Sequence, residues 1–129
     1  MNSVEQMLEL KTWAVVGANN NKDKFGYKIF RFLLDNSELT VYPVNPGIEE
    51  IQGNICYKTL SDLPKKPDVV NLVVPPKVGE QIVRQCAELG IKNIWFQPGS
   101  DGASVVSLAR ELGLNIVQSC VMVEMRNRW

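Results

Sequence analysis

The chain has 129 residues, with fourteen basic and fourteen acidic side chains, no histidine and a pI near 6.3. That length holds one domain with one core, spanning 1–129, and the cancelled charge gives no field that would draw the protein onto nucleic acid or an anionic membrane. The missing histidines exclude Ser-His and Cys-His catalytic pairs and most metal designs, and no stretch reaches the roughly 20 apolar residues of a membrane span.

The opening segment Met1-Asn2-Ser3-Val4-Glu5-Gln6 is acidic, unlike a secretory signal, so a soluble cytoplasmic protein is expected. Trp13-Ala14-Val15-Val16-Gly17 is an apolar run closed by glycine and reads as a buried central strand. A polar loop, Ala18 to Lys24, follows. From Phe25 to Asp35, Ile29 with Leu33 and Phe30 with Leu34 repeat at helical spacing. Leu39 to Tyr42 is the second strand. Ile51 to Tyr57 reads as a turn with a short edge strand, and Leu60 to Leu63 as a helical turn.

Asp68 to Val74 is a strong third strand, stopped by Pro75-Pro76. Val78, Ile82, Cys86 and Leu89 then share one face of a helix that ends at Gly90. Lys92 to Phe96 is the fourth strand, closed by Gln97-Pro98-Gly99. Val105, Leu108, Ala109 and Leu112 mark another helix, stopped by Gly113, and Asn115 to Val117 begins the last strand. Cys56, Cys86 and Cys120 are widely spaced and lack histidine company, so neither a zinc site nor a disulfide framework is supported.

Strands alternating with helices build an α/β fold: a single Rossmann-like, doubly wound domain with a mainly parallel five-stranded sheet in the order 3-2-1-4-5, right-handed crossovers and a short edge strand. Ligands of such sheets sit beyond the strand C-termini at the switch point. Gly17, Pro43 to Pro46, Val74 to Pro76 and Gln97 to Gly99 all fall at that edge. An NAD-binding unit carries an Asp or Glu about 20 residues past its glycine loop to hold the ribose. Here Asn45 stands near that place, between two prolines. Pro43 and Pro46 remove two backbone donors and stiffen the chain, leaving carbonyls to face a ligand and a rigid wall for a base.

Four segments, taken together, carry a resemblance: Val15-Val16-Gly17-Ala18, Tyr42-Pro43-Val44-Asn45-Pro46, Trp95-Phe96-Gln97-Pro98-Gly99, and Cys120 followed by Glu124. In this order and spacing the chain resembles the small CoA-binding domain proteins over nearly its whole length. It is also similar to the N-terminal CoA-binding domain of the succinyl-CoA synthetase α-subunit and of ADP-forming acyl-CoA synthetases. Those enzymes carry a phosphorylated histidine in a separate domain; this chain has neither, so their ligase chemistry does not transfer. The family's C-terminal motif tends to finish with an arginine-leucine pair, whereas this sequence runs Met125-Arg126-Asn127-Arg128-Trp129.

The resemblance implies coenzyme A, or an acyl-CoA, as the ligand. With about four negative charges on its phosphates, CoA requires backbone donors and lysines. Gly17, Ala18, Asn19 and Asn20 lead to a helix N-terminus whose amides suit phosphate, with Lys22, Lys24 and Lys28 to add charge. Each lysine alone also fits a solvated face. Val44, Asn45 and Pro46 would flank adenine or its ribose; Val74, Pro75, Lys77 and Val78 would form the facing wall. Gln97, Pro98 and Gly99 reach toward the same crevice, where the glutamine amide would meet the pantetheine arm or a ribose hydroxyl, though turn and cap chemistry explains the segment equally. Trp95 and Phe96 read as core. Glu124 is expected to pair with Arg126 or Arg128, and Cys120 is either a small structural thiol or a partner for the CoA thiol in a mixed disulfide.

With no acid, base or nucleophile constellation, a non-catalytic CoA-binding module, carrier or sensor, is the leading expectation, with a protein partner or homo-oligomer open. A nicotinamide-dependent oxidoreductase and an interaction module with a vestigial crevice are the alternatives.

Overall fold

The structure, a computed structural model, describes residues 3–128; Met1 and Asn2 of the acidic opening and the terminal Trp129 lie outside the described residues. In chain order come α1 (Ser3–Leu8), β1 (Thr12–Val16), α2 (Phe25–Leu34), β2 (Thr40–Val44), β3 (Glu50–Ile51), β4 (Asn54–Ile55), a 3₁₀ turn (Leu60–Asp62) and β5 (Val69–Leu72). Then follow α3 (Pro76–Leu89), β6 (Asn93–Phe96), α4 (Ala103–Glu111), β7 (Asn115–Gln118) and α5 (Val121–Arg126).

Five strands pair in parallel in the order β2-β1-β5-β6-β7. Numbering the main strands along the chain, this is 2-1-3-4-5, which corrects the expected 3-2-1-4-5. The third strand joins the inner edge of the first, and all four of its residues, Val69 to Leu72, are buried with both faces covered. The expected edge strand is reduced. β3 and β4 form a separate antiparallel pair, and a single parallel bridge, Val44 to Tyr57, extends the main sheet beyond β2.

The sheet buries both faces. Trp13, Val15, Val69, Trp95 and Val117 pack with Ile29, Phe30 and Leu33 of α2 and with Val121 and Met125 of α5. Ala14, Val16, Val70, Leu72, Ile94 and Phe96 pack with Val83 and Cys86 of α3 and with Val105 and Ala109 of α4. Trp95 and Phe96 are fully buried core, and the Trp95 ring lies 5.8 Å from that of Trp13. Alternate strand residues thus serve opposite helix layers, as the two-residue strand period requires.

On α3 the buried residues are Gly79, Val83 and Cys86, whereas Val78 is 46% exposed and Leu89 37%. The expected face of Val78, Ile82, Cys86 and Leu89 is therefore turned. A Cβ on Gly79 would already touch Val105 and Leu72 at 3.5 and 3.7 Å, so this small residue marks the line of closest approach and swings Val78 and Ile82 toward the sheet's C-terminal edge. Gly90 ends the helix in the left-handed conformation at φ 77, with the Ile91 amide returning to the Cys86 carbonyl at 2.9 Å. Among the described residues no helix is long and apolar enough to cross a membrane.

Candidate functional site

The two helix layers separate at the C-terminal ends of β1 and β5, the switch point of the sheet. A crevice of about 560 Å³ opens there. Its floor and one wall are Val16, Gly17, Val44, Asn45 and Pro46; the facing wall is Val74 with Val78, Gln81, Ile82, Arg84, Gln85 and Glu88, and Lys58 and Thr59 close one side. Six of the residues expected from the sequence meet here: Gly17, Val44, Asn45, Pro46, Val74 and Val78.

Gly17 holds the geometry at its centre. Its φ of 97 is strained for any residue with a side chain, and an added Cβ would overlap the Val73 carbonyl oxygen. Behind it, Gly26 at the start of α2 has no room for a Cβ against the Gly17 carbonyl. The two glycines therefore let the first turn of α2 press directly onto the end of β1, the close helix-to-strand packing that a nucleotide turn requires.

The backbone donors can be counted. The Gly17 amide is committed to the Val44 carbonyl at 2.9 Å, which corrects the expectation that it is free for phosphate. The amides of Ala18, Asn19, Asn20, Phe25 and Gly26, by contrast, have no acceptor among the described residues. No side chain caps α2. Buried Ala18 and Gly26 thus sit in a turn rich in unmatched donors, an arrangement that favours an anion. Loop side chains brace the turn: Asn19 Oδ1 accepts the Asn21 amide at 2.7 Å, Asn21 Oδ1 accepts that of Asp23 at 3.0 Å, and Asn20 Nδ2 donates to the Glu50 carbonyl at 2.9 Å.

Three of the four carbonyls of the proline segment are not free. Pro43 O accepts the Tyr57 amide at 3.0 Å and Val44 O accepts that of Gly17, while Asn45 O receives Ile48 and, at 3.8 Å, the Cys56 thiol. Pro43 lies inside β2, the outermost full strand, where its missing donor costs the ladder nothing. Asn45 is used as a clamp: Nδ2 donates to the Ala18 carbonyl at 2.9 Å and Oδ1 accepts the Gly47 amide at 2.9 Å. It binds the loop after β1 to the loop after β2.

The remaining expected residues disperse. Lys22 and Lys24 are exposed on the loop, Lys28 lies 5.5 Å over the Phe25 ring, and Pro75 and Lys77 are exposed at the start of α3; none of them lines the crevice. Gln97 and Pro98 open instead on a second, largely apolar hollow of about 230 Å³ with Phe25, Val73 and Cys120, on the α2 and α5 side of the sheet. Gln97 is buried, and its Oε1 accepts the Val121 amide at 2.8 Å, which fixes the first turn of α5. Its Nε2 has no partner among the described residues and borders the hollow. Gly99 lines neither cavity and serves a turn in which its amide meets Asp101 Oδ1 at 3.2 Å.

At the C-terminal motif, Glu124 accepts a hydrogen bond from the Ser119 hydroxyl at 3.0 Å rather than pairing with an arginine. Arg128 reaches Glu5 at 3.8 Å and Arg126 lies over Phe32 at 5.3 Å. The expected Glu124 ion pair is corrected, because the turn before α5 places a hydroxyl closer than either guanidinium. Cys120 is half-buried at the N-cap of α5. Burial raises the Cys56 thiol pKa, opposed by its bond to Asn45, and pushes that of Cys86 up to about 12.

Residues 11–126 match the family described as a CoA binding domain. The chain belongs to that CoA binding domain family. Among curated relatives of this CoA binding domain, the alpha subunit of the ADP-forming acetate–CoA ligase II of Pyrococcus furiosus is 34% identical over 119 residues, covering 84% of this chain and 26% of that subunit. The alpha subunit of ligase I from the same organism is 32% identical, covering 89% and 28%. The chain thus spans about a quarter of the length of these two subunits. Among solved structures, a hypothetical protein of Pyrococcus horikoshii OT3 is 34% identical with a TM-score of 0.90, covering 98% of this chain and 92% of that one. A conserved hypothetical protein of Pyrococcus furiosus is 40% identical with a TM-score of 0.82, covering 88% and 98%.

Lys58, Thr59, Gln81, Arg84, Gln85 and Glu88 line the crevice and were not expected from the sequence. A signal was present on α3: Val78, Gln81, Gln85 and Glu88 recur at helical spacing. Lys58 offered none, since only the Val44 to Tyr57 bridge carries it to the crevice.

Proposed function

We propose that this CoA binding domain binds coenzyme A or an acyl-CoA as a small, non-catalytic nucleotide-binding module, a carrier or a sensor. The observation that carries the reading is the switch-point crevice beside a β1–α2 turn whose amides lack acceptors. Val44 and Pro46 offer an apolar wall to a base, and the unmatched amides offer donors to a pyrophosphate. From there the apolar hollow at Phe25, Val73, Gln97, Pro98 and Cys120 lies farther along the same sheet edge, where the Gln97 Nε2 suits an amide carbonyl of pantetheine.

The non-catalytic part rests on chemistry within the chain. It has no histidine, and the crevice hydroxyl that meets a carboxylate, Thr59 to Asp62 at 3.1 Å, sits on an exposed turn where the hydroxyl also bonds Ser61. The ligase names of its relatives belong to proteins about four times as long as the region matched. A nicotinamide reading is disfavoured by Asn45, whose amide is spent on the two loops where a ribose-binding carboxylate would stand.

Calorimetric titration of the full chain with CoA, acetyl-CoA, NAD and NADP tests the proposal. Saturable binding of CoA or acetyl-CoA, without hydrolysis of the thioester, is expected. Preference for a nicotinamide nucleotide, or turnover of the thioester, would overturn it.

A further inference from the structure

Two cations on the crevice wall have no counter-ion. Lys58 lies just after the Tyr57 bridge and Arg84 on α3, both lining the crevice, and no carboxylate pairs with either among the described residues. Glu88 lies one helical turn beyond Arg84 without bonding to it. Both cations are exposed, so neither needs a partner for stability. Lining one concave cleft whose only carboxylate is Glu88, they nonetheless leave it with an excess of positive charge in a protein whose charges cancel overall.

The donors for a pyrophosphate lie elsewhere, in the β1–α2 turn on the other side of Gly17. A second anionic group, attached near the base end of the same ligand, would enter the crevice that Lys58 and Arg84 line together with Val44 and Pro46. Lys22, Lys24, Lys28 and Lys77 stand outside the crevice lining.

We infer that Lys58 and Arg84 form the clamp for a phosphomonoester on the ribose of the bound nucleotide, the 3′-phosphate if the ligand is CoA. This rests on the proposed function and adds the residues that distinguish a phosphorylated ribose from a plain one. Arg84 supplies a planar fork suited to phosphate oxygens and Lys58 a mobile point charge.

The test is titration of the wild-type chain and of Lys58→Gln, Arg84→Gln and the double variant with CoA, 3′-dephospho-CoA and NADP at physiological salt. Wild type is expected to prefer CoA over 3′-dephospho-CoA by roughly tenfold or more. Each single variant should reduce that ratio and the double variant bring it close to one, with 3′-dephospho-CoA affinity unchanged. Lys22→Gln/Lys24→Gln should keep the ratio. A double variant that binds CoA with the wild-type ratio, or a ratio lost through Lys22 and Lys24, overturns the clamp while leaving CoA binding intact. Failure of wild type to bind CoA or 3′-dephospho-CoA, or tighter binding of NADP, overturns the CoA reading itself and the clamp with it.

Discussion

Asn45 and Ala18 are joined by a side-chain hydrogen bond, Nδ2 to the carbonyl oxygen at 2.9 Å, although 27 residues separate them. With its other amide atom on Gly47, Asn45 fixes the two loops that form the near wall of the crevice. Asn45→Asp keeps the acceptor for Gly47 and replaces the donor with a charged oxygen facing a carbonyl. It should cost about 1–3 kcal/mol of stability and weaken CoA binding roughly tenfold or more through the displaced turn. Urea unfolding and calorimetry read the two effects; an unchanged affinity would show that the loops are held by other contacts.

Gly26 touches the Gly17 carbonyl so closely that a methyl group cannot be added without moving backbone. Gly26→Ala should destabilise the protein by roughly 3 kcal/mol, more than the helix propensity of alanine returns. The midpoint of urea unfolding measures this. A neutral or stabilising effect would mean that α2 can shift away from β1 at little cost.

Asn71, fully buried in β5 between Val15 and Trp95 in register, leaves both polar atoms of its side chain without partners. An unmatched buried amide carries its desolvation cost with no return. Asn71→Val should therefore stabilise the apo protein by about 1–3 kcal/mol, measured by urea unfolding. A loss of stability would show that the amide is satisfied in solution, by water or by a ligand.

Burial pushes the Cys86 thiol from 9.0 up to about 12. Below pH 9.0 both folded and unfolded chains hold this proton, so the group leaves stability flat. As pH rises from 9.0 toward about 12, only the unfolded thiol ionises, and stability falls by roughly 1.4 kcal/mol per pH unit from this group. Unfolding at pH 8 and pH 10.5 should show a loss that is smaller by that contribution in Cys86→Ala. Equal losses would place the Cys86 thiol in contact with solvent.

Much of the fold was legible because its signals are local. Apolar runs and helical repeats marked the five main strands and α2, α3 and α4, though not the short α1 and α5, and glycine after Leu89 and proline after Val74 marked ends. Strand order was not legible. The same βα pattern allows the third strand on either side of the first, and what places it beside β1 is the packing of α3 and α4 against the opposite face from α2 and α5.

The residues Gly17, Val44, Asn45, Pro46, Val74 and Val78 could be named from the sequence because strand C-termini in a parallel sheet converge on one edge. The lysines of the first loop do not line the crevice, since net charge near a motif says nothing about the direction of a side chain. The class of fold, the sheet edge at which the crevice opens and the lack of histidine pairs follow from local pattern and composition alone. Which atoms remain available there depends on tertiary packing: the Gly17 amide, the Pro43 and Val44 carbonyls and the Asn45 side chain are spent on the loops, and Lys58 and Arg84 are brought into one crevice. Hydrogen-bond partners 27 residues away and a turn of α3 about its axis depend on long-range packing, which no local pattern encodes.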